Sequence, residues 1–204
     1  INDLDKTNIG SPLPKFTFGW TNTFRYKNFD LSIFINGSYG NKVFNYLDMK
    51  LSAMNNVWVN TSNSVKGHAN LAPINPDKVY DNGGRWYDDV SNVQVTNPNA
   101  SIPRPTRNDP NDNDAISDRY VEDGSYIRLK NITLGYTFPK KMVEKVGLQS
   151  LRLSVNVQNL LTITGYDGYD PEIGASTASE NVYGLDFGRY PSPTVYSFNL
   201  NVSF

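Results

Sequence analysis

What most constrains this chain is a two-residue alternation of apolar and polar side chains, met in five separate segments. It is cleanest in VYSFNLNVSF, where Tyr196, Phe198, Leu200, Val202 and Phe204 are apolar and Ser197, Asn199, Asn201 and Ser203 are small and polar. A period of two is that of a β-strand, whose successive side chains point to opposite faces. Phe16, Phe18, Trp20, Phe24 and Tyr26 share one face with Asn22, and Lys15, Thr17, Gly19, Thr21, Thr23 and Arg25 share the other. A two-residue turn at Lys27 and Asn28 leads to Phe29, Leu31, Ile33, Ile35 and Tyr39, opposed by Asp30, Ser32, Phe34, Asn36 and Ser38. A third strand over 125–138 changes parity between Leu129 and Ile132, which predicts a bulge near Lys130 and Asn131. The fourth sets Leu151, Leu153, Val155, Val157 and Leu161 against Arg152, Ser154, Asn156 and Gln158.

Threaded antiparallel, these strands put both short connections, 27–28 and 139–149, at one end and two long loops at the other. The expected organisation is a connector over 1–14, a hairpin over 15–39, a long loop over 40–118, two strands over 119–161, a loop over 162–193 and a strand over 194–204. A helical piece is expected from Val43 to Met54, and one helical turn between Pro139 and Gly147. Outer-membrane barrels have this asymmetry, with short periplasmic turns and long extracellular loops. Aromatics also sort to strand ends: Phe24, Tyr26, Phe29, Tyr136, Phe138 and Phe204 at the short-connection end, Phe16, Phe18, Tyr39 and Tyr196 nearer the other. Two lipid-facing aromatic belts are the expected result.

The apolar positions carry no charge, and arginine there would cost about 2–4 kcal/mol at a bilayer midplane. A soluble β-sandwich gives the same alternation and also excludes charge, but it does not require aromatics sorted to strand ends. The expected fold is therefore all-β, five strands of a transmembrane antiparallel β-barrel with two long extracellular loops. Five strands cannot close, since the smallest membrane barrels need about eight, so both sheet edges require pairing from elsewhere.

Composition narrows the partners. A net charge of -1, from 19 basic and 20 acidic residues, gives no pull towards nucleic acid, and the absence of cysteine excludes disulfides and thiolate metal sites. No run approaches the roughly 18–20 apolar residues of a membrane helix. The chain begins at Ile1, without methionine or signal peptide, so a fragment or processed piece is expected.

From Tyr120 onwards the residues RYVEDGSYIRLKNITLGYTFP, LRLSVNVQNLLT, GYDPEIG and YPSP closely resemble the carboxy-terminal end of SusC/RagA-type TonB-dependent outer-membrane transporters. The resemblance extends to SPLPKFTFGWTNTFRYKNFDLSIFINGSYGNKVFN and to Asn97, Pro98, Ile102, Pro103 and Arg104. It implies a barrel of roughly 22 strands with an amino-terminal plug, in the outer membrane of a Gram-negative bacterium, of which these are the last five strands. It further implies a SusD-like surface lipoprotein as partner and import of oligosaccharides or peptides driven through the TonB complex. The plug and its TonB-contact segment lie outside these residues. The alternative is a SusC-like barrel acting as a structural or assembly component of an outer-membrane complex. Thr194 stands where the family commonly has arginine after the YPxP turn, so an ion pair made by that arginine is missing here.

Bond chemistry is not expected. His68 is the only histidine, and the serines and acids lack a partnered base, so no catalytic site is assigned. Asp109, Asn111, Asp112, Asp114 and Asp118 form an oxygen-rich cluster, but they lack the glycine of a calcium loop and read more readily as a solvated acidic loop than as a weak calcium site. INDLD resembles the tail of a DxNGDGxI…D loop found in some family members, which makes Asp5 a further weak calcium candidate; calcium is the only cofactor considered. Trp58, Trp86, Tyr87, Tyr166 and Tyr169 are expected to contact ligand or partner from the extracellular loops, with loop-core packing as the alternative. Phe198 and Phe204 are expected to form an assembly signal read by the outer-membrane insertion machinery, by addition of an exposed strand edge.

Overall fold

A computed structural model describes residues 5–52, 67–76, 90–100, 102, 115–172 and 183–204. They fall into two compact units, 1–46 with 118–204, and 47–117.

The first unit is built on a five-stranded antiparallel sheet of β1 (Phe16–Tyr26), β2 (Phe29–Tyr39), β7 (Tyr126–Thr137), β8 (Ser150–Thr164) and β10 (Val195–Ser203), in that spatial order. Residues fall into continuous rows across it. One is Phe24, Leu31, Leu134, Val155 and Phe198; the next is Thr23, Ser32, Thr133, Asn156 and Ser197. The alternation read from sequence thus becomes two coherent faces. Lys27, with φ of 51°, makes the tight turn that pairs Tyr26 with Phe29. The bulge falls at Lys130, which is the surplus residue between Leu129, opposite Ile35, and Asn131, opposite Phe34. On its other side Asn159 and Leu160 of β8 answer it, and Asn159 takes a left-handed φ of 52°. Among the described residues neither β1 nor β10 has a partner on its outer side.

This sheet inverts the usual sorting. Leu134 is 48% exposed, Phe198 80% and Leu200 61%, whereas on the other face Arg128 is 2% exposed and Ser154 6%. Water would penalise so much open apolar surface, at about 25 cal/mol per Å². On the polar face Asn156 donates to Asn131 at 2.7 Å and to Thr133 at 2.8 Å. Asp30 accepts from Arg152 at 2.6 Å across β7, and Gly135 leaves the space: a Cβ there would lie 2.6 Å from Asp30 Oδ1.

At the loop end the expected helix over 43–54 is corrected in part. Lys42–Asn45 is instead a strand, β3, and the helix α1 covers Tyr46–Ser52. The reason is alternation: Val43 and Asn45 are buried while Phe44 packs edge-on against Tyr120, with centroids 6.3 Å apart. β3 pairs antiparallel with β6 (Val121–Asp123) and parallel with β9 (Leu185–Asp186), forming a three-stranded sheet whose β3 and β9 lie inside stretches expected to be loop. At the opposite end Pro139 starts a short helix, α2 (Lys140–Val143), continued as one 3-10 turn over Glu144–Val146. Gly147, at φ 79°, closes it.

The second unit holds a small antiparallel pair, β4 (Leu71–Pro73) with β5 (Val93–Val95). Asn97 fastens it, donating to the His68 carbonyl at 2.9 Å and accepting from Asn70 N–H at 2.6 Å. No helix among the described residues is long and apolar enough to cross a membrane, which says nothing of crossing by strands.

Candidate functional site

The polar face of the wall ends in a charged clasp. Arg128, on β7, points to the polar side and is fully enclosed. Its Nε donates to Thr162 at 2.8 Å, its Nη1 to Glu172 at 2.6 Å and its Nη2 to Asp170. Lys130 reaches the same Glu172 oxygen at 2.7 Å from the bulge, which turns it towards the loop. Asp170 in turn accepts from Glu172 N–H and Ser192 N–H, both at 2.9 Å. One buried guanidinium therefore ties the GYDPE segment to the wall, and Asp170 extends the tie to YPSP. Burial pushes the Asp170 carboxyl up, but hydrogen bonds from Arg128, Ser192 and Glu172 outweigh it and hold the group at about 2. Breaking such a pair by removing one partner costs about 3–5 kcal/mol, because a buried charge is left uncompensated.

Beside the clasp opens a cleft of about 720 Å³, lined among others by Lys130, Glu172, Arg189, Tyr190 and the prolines of YPSP. Tyr190 is 86% exposed at its rim. Charged groups, an aromatic ring and fixed proline backbone suit non-covalent recognition of a polar ligand.

The expected contact residues separate. Tyr169 is exposed. Tyr166, by contrast, is buried and its hydroxyl donates to Asp186 at 2.6 Å, so its ring serves the packing of the loop base rather than an open surface. Trp58, Trp86 and Tyr87 lie outside the described residues, as do Asp109, Asp112 and Asp114. Asp5 is exposed, and among the described residues no group of three or more acids, histidines or cysteines is arranged to hold a metal. His68 is engaged with the neighbouring Ala69 carbonyl at 2.9 Å.

Of the aromatics named for the two belts, Phe16, Phe18 and Tyr39 lie towards the loop end and Phe24, Tyr26, Phe29, Tyr136, Phe138 and Phe204 towards the other. Tyr196, expected nearer the loop end, instead sits mid-wall, because it pairs with Val157 in the row of Asn22, Ile33 and Ile132. Phe16 and Tyr39 rings are 5.4 Å apart at the loop end, and Phe29, Tyr136 and Phe138 stack in series at 4.6 and 5.0 Å at the other. Tyr136 and Phe138 are half-buried by these contacts, while Phe18, Phe24, Tyr26, Tyr196, Phe198 and Phe204 are exposed. At Thr194 the hydroxyl donates to the Asn159 carbonyl at 2.9 Å, which ties the YPSP turn to the bulge.

Sequence reading did not single out Arg128, Lys130, Asp170 or Glu172 as a site. The signal was present as two charges spaced two apart in RLK and again in DPE, but their pairing requires the loop to fold back over β7.

No family model matches the chain. The TonB-dependent receptor P3 of Formosa agariphila is 36% identical over 208 residues, covering the whole of this chain and 18% of the relative. The receptor P26 of the same organism is 32% identical, and the TonB-dependent receptor SusC of Bacteroides thetaiotaomicron 26% identical, each again over the whole chain and at most 18% of the relative. This chain thus spans less than a fifth of the relatives it matches. Among solved structures, the RagAB peptide importer in its closed-closed state superposes with a TM-score of 0.67 over 97% of this chain and 18% of that one, at 18% identity. The open-open state gives 0.65, over 96% and 18%, at 19% identity. The relatives are named receptors, and the superposed structures are of a peptide importer. The five-stranded sheet is a stretch of transmembrane barrel wall, and over its whole length the chain is similar to part of the TonB-dependent receptors P3, P26 and SusC.

Proposed function

We propose that this chain supplies part of the wall and loop base of a Gram-negative outer-membrane importer driven through TonB, which takes up oligosaccharides or peptides with a SusD-like surface lipoprotein. The observation that carries this reading is the inverted sheet. Its exposed apolar face, edged by aromatics, suits lipid, and its polar face, which encloses Arg128 and Ser154 on the central strands, suits a lumen. On this reading the clasp and cleft stand at the extracellular end of the lumen, where Tyr169, Tyr190 and Arg189 meet ligand or lipoprotein. Phe198 and Phe204, exposed on the open edge strand, are what the insertion machinery reads.

The test is uptake by intact cells carrying the full-length protein and its neighbouring lipoprotein, supplied with labelled oligosaccharide and peptide mixtures. Deleting either the barrel protein or TonB should abolish uptake of one mixture. Undiminished uptake of both would overturn the import reading. Loss of an outer-membrane complex in its place would favour the assembly role.

A further inference from the structure

The two ends of the first unit differ in charge. The short connections 27–28 and 139–149 carry Lys27, Lys140, Lys141 and Lys145 against one acid, Glu144. The described loop segments at the other end, 40–46, 118–125, 165–172 and 183–194, carry seven acids against three bases. The basic end also exposes apolar side chains from the same element: Met142 is 58% exposed and Val146 71%, while Val143 is buried. The lysines flanking them are exposed, and the Lys140–Glu144 contact is a loose 3.6 Å in full solvent. Alongside stand the rings of Phe29, Tyr136 and Phe138, and Lys27 lies 5.3 Å over the Tyr26 ring.

Exposed methionine and valine set among lysines, next to an aromatic row, match the anatomy of a segment at a membrane interface. There apolar side chains enter the acyl boundary, lysine stems snorkel and their ammonium groups meet anions. We infer that α2 and the following turn form a docking surface for anionic phospholipid headgroups of the leaflet facing the short connections. Charge complementarity selects the occupant: a protein partner would have to meet both the lysines and the apolar side chains at the rim of the aromatic row, where lipid is already the neighbour. The inference rests on the barrel reading and goes beyond it, because a barrel wall needs no preference for one headgroup.

The full-length protein is reconstituted in vesicles of equal phosphatidylglycerol and phosphatidylcholine, extracted in mild detergent, and its retained lipids counted by native mass spectrometry. Wild type should retain phosphatidylglycerol preferentially, and the preference should vanish when extraction is repeated near 1 M salt, where screening length shrinks to about 3 Å. Lys140→Gln, Lys141→Gln and Lys145→Gln together should lower the preference about tenfold or more, each lysine near a charged surface contributing severalfold. Met142→Ser with Val146→Ser should lower retention of both lipids. Equal retention of the two lipids by wild type, or a preference untouched by the triple substitution, overturns the inference. Vesicle flotation and unboiled gel migration report separately whether the barrel formed, so failure of the barrel reading is distinguishable. Should the triple variant not fold, Lys140→Gln and Lys145→Gln made singly should each lower the preference severalfold, and no change in either overturns the inference.

Discussion

The five-stranded wall and the three-stranded loop base belong to one compact unit, yet they sort residues in opposite directions. In the loop base Val43 and Tyr120, each 1% exposed, form an ordinary core, and the polar Asn45 and Asp186 are buried with their hydrogen bonds met. In the wall the apolar rows lie open, and the polar rows hold Arg128, Ser154 and the Asp30–Arg152 pair. The contrast teaches that strand pairing is indifferent to which face is apolar. Solvent decides: water makes the core of the loop base, and lipid makes the outside of the wall.

The contrast can be broken by experiment, most severely at the buried groups. Arg128→Met should cost about 3–5 kcal/mol in the full-length protein, because Asp170 keeps its charge without a cation. Adding Asp170→Leu should recover much of this, and protease sensitivity of 165–172 against the wall would read both. In the loop base Tyr120→Ala should cost a similar 3–5 kcal/mol by opening a cavity, whereas Leu134→Ala on the exposed face of the wall should cost far less. Equal losses would erase the distinction. Leu134→Arg should cost about 2–4 kcal/mol in a lipid unfolding series and Thr23→Arg, exposed on the polar face, little. A matching penalty for both would reject lipid as the solvent of the apolar face.

A smaller effect follows from pH. The Asp170 carboxyl, ordinarily near 3.8, is held at about 2, so its folded form is depressed and its stabilisation is complete above about pH 4. That contribution, about 2 kcal/mol, falls away as pH drops through 2, and Asp170→Asn should flatten loop stability across this window. The smallest expected effect is at Thr194→Val, about 1 kcal/mol, read as faster exchange of backbone amides around Asn159.

Much of the wall was legible because alternation is a local signal: parity alone located the bulge, the hairpin turn and the charge-free face. Ser154 shows where locality stops. It falls on the polar face as expected, but it is buried beside Gly135 and the Asp30–Arg152 pair, so a lumen-side position is not automatically a tolerant one. β3 was missed because four residues cannot announce a strand when their partners lie about 80 and 140 residues further on. The clasp was hidden for the same reason. Its charges were visible two by two, but which carboxylate meets which cation depends on how 165–172 returns over β7.

Around the bulge the three central strands differ in length by a simple progression. Between the rows through Phe34 and Ile35, β2 spends no extra residue, β7 spends Lys130, and β8 spends Asn159 and Leu160. Surplus residues bend a strand and tighten its twist. A surplus that grows from strand to strand acts like a course of tapered bricks, so the wall must lean more with each strand on the loop side of that line than on the other. Curvature at this point is thus written as a count, and it falls at the level where Arg128 and Lys130 turn towards the GYDPE segment.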